Sequence, residues 1–382
     1  MNAILDTFME KRKPDYRDFE VDRARFEEWR VPRFGTSNPT RMDNPVWEWL
    51  IWSRKTAYQA AHEFQGDQRF KGGPTWCFDR FGRTTTPLPD GRLLLIAGEH
   101  EDYYDPDFFI YNDVVVIHPD ESVAIFGYPR DIFPPTDFHT ATLVDEAIFI
   151  IGNLGYPEQR RAGHTPVFRL NRQTFAMEQI ETSGDAPGWI HRHTATLTPD
   201  QQHIRLTGGK VHLGENRSLT ENIDEWQLNL AEWRWERLTA RNWPRWEVKR
   251  RDGGPLHLDQ MEMSRFNQML LDSNSEFVDA QMAALYRRLN DELIQELGGA
   301  PDYQLLKTLY RPDIPHQPLP QREEEHNIHR LEVQGTVVRY VQSMWHVQVT
   351  VEGDLPAATI AALQADLVNK VTRLENTACT VE

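Results

Sequence analysis

The sequence predicts a mainly β protein: a β-repeat array preceded by a helical segment and followed by an α/β appendage. Three observations carry that prediction. Residues 73–239 consist of short β-prone runs broken by Gly, Pro, Asp and Asn. One pattern recurs there three times, with Leu88, Leu143 and Leu197 spaced by 55 and 54 residues. On either side, residues 1–72 and 254–382 place apolar residues at helical spacing.

Composition narrows the class. At roughly 100–200 residues per domain, 382 residues make two domains or one large repeat unit with an appendage. Hydrophobic content is only 39%, yet the chain carries 12 Trp, 18 Phe and 11 Tyr, which disordered acidic proteins lack. The net charge of −16 speaks against a nucleic-acid or anionic-membrane binder and permits a basic protein partner. Cys77 and Cys379 are the only cysteines, which fits a reducing cytoplasm. The first residues hold no signal-like apolar run, and no stretch approaches the ~18 apolar residues of a membrane helix. A cytoplasmic protein is the expectation.

In the N-terminal segment, residues 15–30 read as a charged helix with Phe19, Phe26 and Trp29 at helical spacing. Asp43-Asn44-Pro45 offers a cap with proline at the first helical position, and residues 46–64 then read as one apolar-faced helix. In the array, Thr84-Thr85-Thr86-Pro87-Leu88, His139-Thr140-Ala141-Thr142-Leu143 and His193-Thr194-Ala195-Thr196-Leu197 align as first strands. Second strands end in Ala97-Gly98, Gly152-Asn153 and Gly208-Gly209. Val115, Phe168 and Trp226 fall in third strands, and Val123, Phe175 and Trp233 open fourth ones. The runs at 93–96 and 148–151 are continuously apolar, as strands buried on both faces are.

Strand, strand, Gly break, long loop, strand, turn, strand resembles the kelch repeat, the four-stranded blade of a β-propeller. Gly208-Gly209 with Trp226 and Trp233 matches that pattern most closely, and the other two copies are degenerate. The resemblance implies a propeller or partial propeller over residues 75–239. A closed ring needs at least four blades. Residues 75–78 supply a strand of a further blade, or the array is open and capped by helices.

Residues 240–253 read as a basic connector of net charge +3 between acidic bodies, net −11 over 83–239 and −9 over 254–382. Beyond it, residues 275–297 and 302–310 read as helices, 311–320 as a proline-rich spacer, 331–340 and 344–352 as strands, and 356–374 as a closing amphipathic helix.

The His-x-His at His191 and His193 has metal-compatible spacing on a strand, although His193 aligns with His139 and is explained by the repeat. His326 and His329 follow an acidic run. Cys77 beside Trp76 suggests the kelch-built copper radical oxidases, whose full ligand set does not assemble here. No phosphate loop or nucleophile elbow is present in the sequence, so no cofactor and no catalytic residue is implied.

The informative positions are the loops after the Gly breaks. The first carries Glu99, Glu101, Asp102, Tyr103, Tyr104, Asp105 and Asp107; the second carries Arg160 and Arg161; the third begins at Lys210. On blades, these share one propeller face, and carboxylates interleaved with aromatics suit a basic protein. A binding module is expected, in concrete form an immunity-type protein occluding a basic toxin. Two other readings stand beside it. One is an oxidase- or epimerase-like enzyme or small-ligand sensor using His100, His139, Arg161, His164, His191 and Arg192. The other is a scaffold docking through 254–382.

Overall fold

Capping chemistry decides how the chain starts. The Asn44 side chain accepts from Val46 N and Trp47 N, and Pro45 occupies the first turn, so a helix begins there. It ends at Arg54, whose φ of 53° is left-handed, and the Thr56 capping box with Gln59 starts another helix. The single helix expected over 46–64 is therefore two, with Arg54 held by Asp6 and Asp79.

The computed structural model describes residues 3–10, 19–66, 73–102, 105–214, 219–273, 278–320 and 327–382. The chain divides into two units, residues 1–241 and 242–382. Strand outweighs helix, 29% to 26%, in several antiparallel sheets, and none closes into a barrel among the described residues. No described helix is long and apolar enough to cross a membrane.

The first unit opens with α1 (Ala3–Glu10), α2 (Arg23–Trp29), β1 (Thr40–Arg41), α3 (Pro45–Ser53) and α4 (Ala57–Glu63). The helix expected over 15–30 is confined to α2, with residues 11–18 outside the described ones. Three antiparallel meanders follow. The first consists of β2 (Thr84–Pro87), β3 (Leu93–Ile96), a hairpin of β4 (Glu99–Asp102) with β5 (Asp105–Ile110), then β6 (Val114–Ile117) and β7 (Val123–Gly127); its sheet order is β1-β7-β6-β3-β2. The second is β8 (Thr140–Val144), β9 (Ala147–Ile151), β10 (Val167–Asn171) and β11 (Met177–Gln179). Then come β12 (Ser183–Gly184), β13 (Trp189–His191), β14 (Thr194–Leu197), β15 (His203–Thr207), β16 (Lys210–His212), β17 (Thr220–Glu221), β18 (Trp226–Asn229) and β19 (Arg234–Arg237). Of these, β14, β15, β18 and β19 form the third meander, edged by β12, while β13, β16 and β17 form a separate small sheet.

Strand periodicity explains the order of burial. Successive side chains point to opposite faces. In the first sheet, Leu93, Leu95, Val115 and Ile117 pack with the N-terminal helices around Trp47, Trp52 and Phe26. The alternate residues Leu94, Ile96, Val114 and Val116 pack against Ile148, Ile150, Phe168 and Leu170 of the second sheet. Phe149, Ile151 and Val167 on its reverse meet Ile204, Leu206, Leu228 and Trp235 of the third. The third sheet buries one face only. Arg205, Arg234 and Glu236 on the other are exposed. The stack thus has helices on its first sheet and a polar surface on its last.

Pairing corrects the repeat alignment by one residue. Thr84, Thr140 and Thr194 face the last residues of the second strands, Ile96, Ile151 and Thr207. Arg83, His139 and His193 therefore share the preceding position. The shift arises because Leu88 lies in the β2–β3 turn, its N–H bonded to Arg92 O, whereas Leu143 and Leu197 are strand residues, so the position that matches them is Pro87. Phe175 and Trp233 also fall outside the fourth strands. Both sit in left-handed turn positions after Asn171 and Asn229, whose side chains accept two backbone N–H groups each. Residues 75–78 are buried but form no named strand.

The second unit contains β20 (Arg245–Arg250), α5 (Leu258–Asp272), α6 (Ala280–Leu297), α7 (Tyr303–Lys307), β21 (Gln317–Pro318), β22 (Ile328–Val333), β23 (Thr336–Gln342), β24 (Val347–Glu352), α8 (Ala357–Glu375) and β25 (Cys379–Val381). Its sheet order is β21-β22-β23-β24-β20-β25. Residues 245–250 of the supposed basic connector are instead β20, an interior strand that buries Trp246 and Val248 and turns its charges to the other face. The strand expected over 331–340 is a hairpin, because Gln334 and Gly335 take the positive φ values of a tight turn.

Candidate functional site

The segments after the Gly breaks join along one end of the stack. In the first repeat the expected loop is the β4–β5 hairpin. Tyr156, from the second repeat's segment, accepts Ile110 N at its hydroxyl at 3.0 Å and meets Phe108 edge-on at 5.8 Å. The Trp189 indole donates to Leu154 O at 3.0 Å, tying the second segment to β13. In that small sheet His191 faces Lys210, which faces Glu221. Three sequence-distant insertions therefore make one continuous rim.

The candidate residues divide into structural and accessible groups. Glu99 opens β4 and is buried. Tyr103 and Tyr104, with the side chains of Glu101, Asp102, Asp105 and Asp107, lie outside the described residues. Arg160 gives its guanidinium to Leu154 O and Gly155 O, so it holds its own loop. Arg161 is exposed and Lys210 half-buried. Exposed Arg192 lies 3.6 Å over the Phe138 ring. Burial pushes Lys210 below its ordinary value, opposed by Glu221. The rim is thus polar, mixed in charge and edged with aromatics.

The histidines separate sharply. Thr84 Oγ1 pairs with His139 Nε2 at 2.9 Å, and Thr140 Oγ1 pairs with His193 Nε2 at the same distance. Each histidine is thus a staple from one repeat to the threonine of the repeat before. Sequence reading missed this link, although a Thr beside each His at the repeat step was its signal. The repeat supplies no further His to Thr194, which is exposed. His191 and His193 do not share a strand: left-handed Arg192 (φ 55°) sends the first into the small sheet and the second into the third meander. That break removes the expected His-x-His metal geometry. Among the described residues no cluster of three metal-ligating side chains occurs. His326 lies outside the described residues, and His329 stacks on Tyr310. His100 contacts Asp79 O, and His164 lies beside Trp189.

Gly152 permits the close junction at His193. Its φ is 78°, and a Cβ there would lie 2.4 Å from Ile190 O and 2.6 Å from the His193 ring.

Under the rim lies a buried ionic cluster that sequence reading also missed. Arg80 pairs with Asp113, Asp113 accepts the Trp76 indole at 2.7 Å, and the guanidinium covers the Tyr111 ring at 3.4 Å. The Tyr111 hydroxyl accepts Cys77 N, and burial drives its pKa well above the ordinary value. The Cys77 thiol donates to Thr75 O. These groups brace the first repeat against the helical segment. The chain matches no protein-family model and no curated protein.

Proposed function

We propose that the chain is a protein-binding module whose first unit is an open array of three kelch-type propeller blades, with the rim of insertions as its binding face. The observation that carries this reading is the contact of Tyr156 with Phe108 and Ile110 N, which joins two insertions into one surface. The acidic hairpin at 99–107 sets the partner's chemistry: a basic protein, drawn by charge and held by aromatic contact. His139, which the enzyme reading recruits, and His193, weighed as a metal ligand, are instead engaged in repeat junctions.

The test replaces Asp102, Asp105 and Asp107 with Asn and compares affinity capture from the native host with the unaltered protein. A basic partner should bind at least about tenfold more weakly, with a shallower salt dependence. Undiminished capture of the same partner would sink the assignment. One observation favours a small-ligand reading: His191 is 2% exposed, has neither ring nitrogen hydrogen-bonded, and adjoins Arg192 and Lys210. A stoichiometric small molecule or metal in the purified protein would support it.

A further inference from the structure

The second unit carries a different surface. On α5, the buried residues Leu258, Met261 and Ser264 mark the side facing the core. Asp259, Met263 and Phe266 run along the opposite side at spacings of four and three, with Met269 one turn further on. Met263, Phe266 and Met269 are each about half exposed or more. The β23–β24 turn presents Met344 and Trp345, also more than half exposed and closed by Ser343 N on His346 O. These two groups are neighbours. Gln342, the last residue of β23, donates to Asp259, and Leu256 N donates to Met344 O. The Met344–Trp345 turn thus lies at the end of α5 that Met263 occupies, one turn from Asp259, and Phe266 and Met269 continue the exposed apolar row along the helix.

Exposed apolar groups scattered singly need no explanation, but a patch of Met, Phe and Trp costs solubility and marks an interaction surface. Methionine adapts to the shape of an incoming apolar face, and tryptophan anchors it. The patch edge selects the partner. Asp259 and Asp272 flank it, and the single cation on α5, Arg265, is taken up by Glu262 at 3.0 and 2.7 Å. An anionic lipid surface would meet like charge. A second copy of this chain in a two-fold contact would bring the same carboxylates against themselves.

We propose that the outward side of α5 and the Met344–Trp345 turn form a docking site for a cationic amphipathic helix of a protein partner. Its apolar side covers Met263, Phe266 and Trp345, and its Lys or Arg residues meet the flanking carboxylates. This site is separate from the rim of the first unit and does not depend on it.

The probe is a short fluorescein-labelled Leu/Lys amphipathic helical peptide, titrated by anisotropy against the full chain at physiological salt. A scrambled peptide of the same composition controls for the general attraction of a chain of charge −16. The ordered peptide should bind saturably, and Met263→Gln with Phe266→Gln should weaken it by about tenfold. Trp345→Ser, on a separate element, should do the same. Asp259→Asn with Asp272→Asn should weaken it by about threefold and flatten its salt dependence. Glu178→Gln with Glu236→Gln, exposed carboxylates of the second and third meanders that belong to neither proposed site, should leave it unchanged. Equal binding of the scrambled peptide, or unchanged binding to both apolar variants, overturns the proposal. So does self-association abolished by Met263→Gln with Phe266→Gln, which would make a second copy the occupant. Capture of the protein by vesicles in preference to the peptide would assign the patch to lipid.

Discussion

Acid should unfold the repeat unit by loading its buried histidines. Burial pushes His139, His193 and His191 down to about 3 from 6.5, with neighbouring cations adding to the effect at His191. Each is neutral in the folded unit and takes a proton in the unfolded chain below 6.5. Their contribution to stability is complete above 6.5 and is lost as pH falls from 6.5 towards 3. At about pH 5 one such imidazole costs about 2 kcal/mol and three cost about 6. A whole domain commonly has about 5–15 kcal/mol. Asp137 works in the opposite sense, because burial raises its carboxyl, so about 6 kcal/mol is an upper bound. Urea titrations followed by tryptophan fluorescence would measure the effect across this range. His139→Gln with His193→Gln keeps an amide facing Thr84 and Thr140 while removing two titrating groups. Below about pH 5.5 the unaltered protein should lose up to about 4 kcal/mol per pH unit, and the double variant about a third of that. Equal slopes, or stability that does not change over this range, would refute the argument.

Two further outcomes test the packing. Gly152→Ala should destabilise the first unit by about 2 kcal/mol or more in thermal unfolding, because the left-handed φ is strained and the new Cβ meets Ile190 O. Gly163→Ala, with φ 76° but nothing within 4 Å, should cost about half as much, and equal losses would show that crowding is irrelevant. Arg80→Ala should cost about 3–5 kcal/mol, since it leaves Asp113 buried without its cation, while Arg80→Ala with Asp113→Asn should recover part of the loss. A single variant as stable as the parent would show that the pair contributes nothing.

The elements were more legible than their neighbours. Periodicity marked the runs at 93–96 and 148–151 as doubly buried, and both are. Alternation in His203-Ile204-Arg205-Leu206-Thr207 already carried the information that the third sheet buries one face. Alternation in Arg245–Arg250 was likewise visible, but its basic charge made it look like a linker. The candidate rim was legible as three insertions expected on one face, but the contact that joins two of them was not, since Tyr156 reaches Ile110 across 46 residues of chain.

The sequence by itself determined the three repeats, the helical ends and the uneven distribution of charge, because periodicity, glycine positions and net charge are local properties. Only the tertiary structure decided the repeat register, the role of each histidine and which apolar side chains stay uncovered. Those depend on turn length and on partners tens of residues away. A histidine 55 positions beyond Thr84 becomes its hydrogen-bond partner only when two sheets stack. The Met344–Trp345 turn comes to the start of α5 only through pairing across 83 residues of chain, Gln342 with Asp259.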